Sequence, residues 1–165
     1  MNTRPLREHG PALLVPAAWG VAAGTVAGVV STHALFVAHL AMSVALVAFA
    51  ALSWDEMADG ALRAWRTVIL AGIPVTLAGV AGLHLGSEPL LSVAVYGWIL
   101  LPAAGFLDTT RRVTGGAWVY LAGAGCCVAG FVGLLLADTT TAVVASLVVV
   151  GVGQTAGILD AVLRY

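Results

Sequence analysis

A short set of side chains in this 165-residue sequence could carry chemistry: His33, His39, His84, Glu88, Asp138 and Gln154, with Tyr96 and Trp98 as weaker candidates. Each lies in or beside a long apolar stretch, where a polar group is costly and is a functional candidate for that reason. A neutral imidazole is the commonest metal ligand and a frequent axial ligand of haem iron. His33, His39 and His84 are therefore the candidate cofactor-binding residues, for haem or a metal ion. No HxxxH or HxH spacing sets two of them on one helical face, so a site needs histidines from separate helices. His9 lies beside Arg4 and Arg7 in the N-terminal tail and reads as a solvated residue.

The elements that must position these residues follow from composition. Hydrophobic residues make up 61% of the chain and charged residues 9%, with net charge -1 and mean hydropathy +1.03. Soluble domains carry roughly 25% charged residues, so this surface must face lipid. Nothing basic advertises nucleic acid. A spanning helix needs about 20 apolar residues. The stretches 12–31, 33–53, 65–85, 89–107, 116–137 and 141–160 meet that length and fill the chain. The expectation is an all-α membrane protein: one transmembrane domain over 1–165, a six-helix bundle in the lipid bilayer.

Arginine sets the orientation. Arg4 and Arg7 precede the first stretch, Arg63 and Arg66 follow the second, Arg111 and Arg112 the fourth, and Arg164 the sixth, while the other connections carry no Arg. By the positive-inside rule both termini are cytoplasmic in a multi-pass protein of the cell membrane. Trp54, Trp65 and Trp118 fall at the same boundary, as aromatic belts do. The first stretch stays apolar to Val30, too long for a secretory signal, and reads as a retained helix.

In this orientation the three histidines belong to the outward half of the second and third helices. The connection between those helices is centred between residues 58 and 59, which leaves His33 and His84 equidistant from it and at equal depth. His39 is about 9 Å deeper and turned by about 120°. Glu88 and Asp138 flank outer loops near the level of His33.

The segment Thr32-His33-Ala34-Leu35-Phe36-Val37-Ala38-His39-Leu40-Ala41-Met42 resembles the second helix of haem-copper oxidase subunit I and related haem membrane proteins. In that family a His at the outer end of this helix ligates a low-spin haem. The resemblance implies His33 as haem ligand, electron transfer, and association with a larger respiratory membrane complex. The chain has half that family's helices and lacks its paired and tyrosine-linked histidines, so oxygen reduction does not follow.

The remaining signals concern packing. Gly20, Gly24 and Gly28 form a GxxxGxxxG ladder, and Ala78-Gly82-Gly86, Ala122-Cys126-Gly130 and Gly153-Gly157 repeat the small-residue spacing. Such ladders serve packing within the chain, a homo-oligomer, or docking on other membrane proteins. Gln154 must have its amide satisfied by a neighbouring helix and reads as packing glue. Pro74 and Pro102 fall mid-helix and predict kinks. Adjacent Cys126 and Cys127 point in different directions and read as small packing residues. The sequences Ala104-Gly105-Phe106-Leu107-Asp108 and Ala156-Gly157-Ile158-Leu159-Asp160 match, each Asp being followed at i+4 by Arg, and Asp59–Arg63 repeats that charge spacing. Three repeated helical hairpins or coincidence would both give this.

The sequence has no Lys for a retinal Schiff base and lacks a Walker loop, a GxSxG elbow and HExxH. Every Asp and Glu is near an interface, which disfavours a proton-driven transporter. A haem- or metal-binding protein or accessory subunit of a respiratory-type complex comes first. A non-catalytic assembly protein and a small-solute transporter are the alternatives, and an enzyme is the less favoured class.

Overall fold

In a computed structural model the described residues, which are 4–55, 57 and 62–164 without the side chains of 4–12, 62 and 164, form helices joined by short connections. Six helices follow one another: α1 (Arg4–Val26), α2 (Thr32–Leu52), α3 (Leu62–Leu85), α4 (Glu88–Arg112), α5 (Ala117–Leu136) and α6 (Thr140–Arg164). Five of them, α2 to α6, are long and apolar enough to cross a membrane, whereas the described apolar part of α1, Leu13–Val26, is shorter than a span. Large apolar side chains lie bare on the outside of the bundle, among them Val44, Leu136 and Val152. Such a surface cannot face water on this scale. The chain is a small, multi-pass integral membrane protein.

Helices α2 to α6 each pack on the helix before or after them in the chain, and α1 closes the bundle by packing on α6. The exception is α1 against α2, which touch only slightly. The core lies between α1, α4, α5 and α6, where Ile99, Phe106, Tyr120, Cys127 and Val150 are fully buried. Phe106 is its centre. Its ring meets Trp65 edge-on at 5.2 Å and lies against Gly123 and Gly157, where no side chain intervenes. The glycine of the second AGxLD segment thus receives the phenylalanine of the first.

Helix limits depart from the hydropathy limits where backbone chemistry or charge decides. The first apolar stretch runs to residue 31, but α1 ends at Val26 because Gly28 takes φ +77°. The Val29 amide then donates to the Gly24 carbonyl and the Gly28 amide to Thr25, the bonding pattern of a Schellman cap. Gly86, with φ +66°, closes α3 in the same way, the Ser87 amide reaching the Gly82 carbonyl. At the other end of the bundle α4 runs on to Arg112, past the apolar limit at 107. There Arg112 grips Asp108 through Nε to Oδ2 (2.5 Å) and Nη2 to Oδ1 (3.0 Å). The related Asp59–Arg63 and Asp160–Arg164 spacings involve Asp59 and the side chain of Arg164, which lie outside what the structure describes.

Candidate functional site: a glutamine hub and a histidine cleft

Two polar groupings stand out, and they differ in kind. The first is buried at the middle of the bundle. Pro102 has no N–H, so the Trp98 carbonyl four residues earlier loses its helical donor. Gln154 of α6 replaces it: its Nε2 donates to the Trp98 carbonyl at 2.8 Å and lies 3.6 Å from Cys127 Sγ on α5. The Trp19 indole of α1 donates to Gln154 Oε1 at 2.9 Å. From Trp98 the network continues, the indole N–H donating to Thr76 Oγ1 of α3 at 2.9 Å and Thr76 to its own Gly72 carbonyl at 2.8 Å. One amide, 2% exposed, therefore ties α1, α4, α5 and α6 directly and α3 through Trp98. A parallel bond nearer the arginine end joins Trp65 of α3 to Thr109 of α4 at 3.0 Å.

The second grouping is at the end of the bundle opposite Arg111 and Arg112. His33 at the start of α2 and His84 at the end of α3 line one open cleft of about 290 Å³, together with Thr32, Phe36 and Leu83. Local sequence builds both walls. Ser31 caps α2, its Oγ accepting from the Ala34 amide at 3.1 Å. The Gly86 cap stops α3 just past His84. Both imidazoles are exposed.

His39 does not share that cleft. Its Nδ1 bonds the Leu35 carbonyl of its own helix at 2.9 Å, which fixes Nδ1 as the protonated nitrogen. The rest of the ring fills a notch in α3: a methyl at Gly79 would lie 2.5 Å from its Cδ2 and 2.7 Å from its Nε2. The nitrogen that could bind iron is thus turned onto the α3 backbone. Glu88 and Asp138 are exposed at the same end and do not line the cleft. Among the described residues no three or more His, Cys, Asp or Glu groups come together as a metal site.

The glycine ladder separates into three roles. Gly28 lies beyond α1 and turns the chain. Gly24 accommodates Val30, whose Cγ2 would be 2.7 Å from an added methyl. Gly20, within the helix, stays uncovered, with nothing within 4 Å, on the wall of a groove of about 490 Å³ between α1 and α6. Trp19 and Thr76 carry hub bonds that spacing alone does not reveal, although Pro102 four residues after Trp98 was a usable signal.

The fold and these sites define a helical integral membrane bundle with a hydrogen-bonded centre and a histidine-walled cleft at one end. No protein-family model matches the chain, and neither a curated protein nor a solved structure matches it.

Proposed function

We propose that the protein is a six-span protein of the cell membrane, with both termini cytoplasmic, that binds a transition-metal ion at its outer end through His33 and His84. The observation that carries this is the cleft itself, an open depression lined by two imidazoles from different helices. The arginines supply the orientation, since all of them fall at the opposite end or in the connections there. An ion needs only two ring nitrogens, with water completing its shell. Haem iron is the larger alternative, but a porphyrin would have to part α2 from α3, which meet directly at His39 and Gly79. Metal analysis and an absorption spectrum of purified protein separate the two. Near-stoichiometric zinc or copper with no Soret band fits the ion, a Soret band lost in His33→Gln fits haem, and a colourless, metal-free protein that takes up neither contradicts both.

A second reading, as a non-catalytic subunit of a larger membrane complex, is favoured by α2. It is the most apolar of the spans and only 6% of its apolar window is buried within the chain. Co-purification of a stoichiometric membrane partner that is lost when α2 apolar residues such as Val44 are changed to Trp would support it.

A further inference from the structure

Helix α2 is built as a lever. It contains neither Gly nor Pro, unlike the other five helices, so it lacks the residues at which sharp kinks form. Its buried positions are confined to the half nearest the arginine end: Leu46 and Ala50 within the helix, then Ser53 and Met57 just beyond it. There the Arg66 guanidinium of α3 also lies 4.1 Å over the Trp54 ring, a contact that strengthens with desolvation. In the other half, residues 32–45, no residue is buried. Among the described residues no side-chain hydrogen bond of α2 reaches another helix; His39 and Ser43 bond only within α2. Contact with α1 is slight, so α3 is the main neighbour this half leans on. The end of α2 away from the anchor carries His33, which lines the same cleft as His84, and the contact of this half with α3 includes the His39 ring in the Gly79 notch.

We propose that α2 pivots about its anchored inner end and that a metal ion bridging His33 and His84 clamps its outer half onto α3, making the bundle's outer shape metal-dependent. The inference rests on the metal-binding reading of the cleft and adds the movement. A bridge of this kind is effective because it joins the two helices at the far end from the anchor, where a small rotation gives the largest displacement. The rest of the bundle does not follow, being tied by the Gln154 hub, to which α2 contributes nothing.

The test is a pair of electron-paramagnetic distance measurements in lipid nanodiscs, on full-length protein with Cys126 and Cys127 replaced by Ala. One spin-label pair joins the outer end of α2 to α6 (Ala34→Cys with Thr141→Cys); the other joins the inner end of α2 to α6 (Leu52→Cys with Leu163→Cys). Zinc is the probe, and binding is measured on the same samples. The outer distribution is expected to narrow about two-fold with zinc, the inner one to stay fixed, and His84→Gln to abolish the narrowing. Zinc that binds while the outer distribution is equally narrow without it overturns the lever and leaves the site standing. Absence of zinc binding overturns the site, and the clamp with it, even where the outer distribution is broad.

Discussion

The interior around Gln154 and the seam between α2 and α3 solve the same problem, attaching a helix in a medium that gives helices little hydrophobic reason to associate. Around Gln154 the solution is polar and shared: a proline leaves a carbonyl without a donor, one amide supplies it, and Trp19 and Trp98 extend the link to further helices. Along the α2–α3 seam the solution is steric and local, an imidazole in a glycine notch and an anchor at one end. Hydrogen bonds that cross between helices specify one arrangement, whereas a notch tolerates sliding. The proposed lever builds on this difference, with rigidity assigned to the middle of the bundle and movement to the end of α2 that carries His33.

A graded set of substitutions would break or sharpen this contrast, each read by reversible unfolding in detergent. The largest loss is expected from Gly130→Ala, whose methyl would lie 2.7 Å from the Ser146 carbonyl oxygen and also meet Val150; overpacking against backbone should cost about 3 kcal/mol. Gln154→Ala comes next, at about 2 kcal/mol, since it strips partners from the Trp19 indole and the Trp98 carbonyl. Adding Pro102→Ala to that variant should recover about 1 kcal/mol by restoring the helical donor to Trp98, and simple additivity of the two changes would refute the hub's logic. Gly79→Ala should cost about 1 kcal/mol, because the nearest obstructing atoms are the end of the His39 side chain, with Ala94 Cβ of α4 next at 3.2 Å. It should loosen α2 without touching the hub. Gly20→Ala, with open space at its site, is expected to be neutral or to stabilise by up to about 1 kcal/mol through helix propensity.

How far these features could be read in advance depended on whether they needed information from a second helix. Equal spacing from the α2–α3 connection was enough to bring His33 and His84 to one cleft, because depth is counted along the chain. His39 was equally conspicuous, but its ring orientation depends on the absence of a side chain at Gly79, forty residues away. The ladder of Gly20, Gly24 and Gly28 shows spacing failing in another way. The three glycines are evenly placed, yet only backbone geometry reveals that the last has left the helix. For Gln154 the need for a partner was legible from burial cost alone, and the identity of the partners was not, since it requires the register of α6 against α1, α4 and α5. Hydropathy likewise stopped α4 at residue 107, while the Asp108–Arg112 pair carries the helix further.

The most direct test of the account is a zinc titration, followed by calorimetry, of the protein in nanodiscs and of its three single histidine variants. One zinc per chain is expected for the wild type, with binding weakened at least about ten-fold by His33→Gln and by His84→Gln and unchanged by His39→Gln. Binding that survives loss of either cleft histidine but disappears with His39 would contradict it.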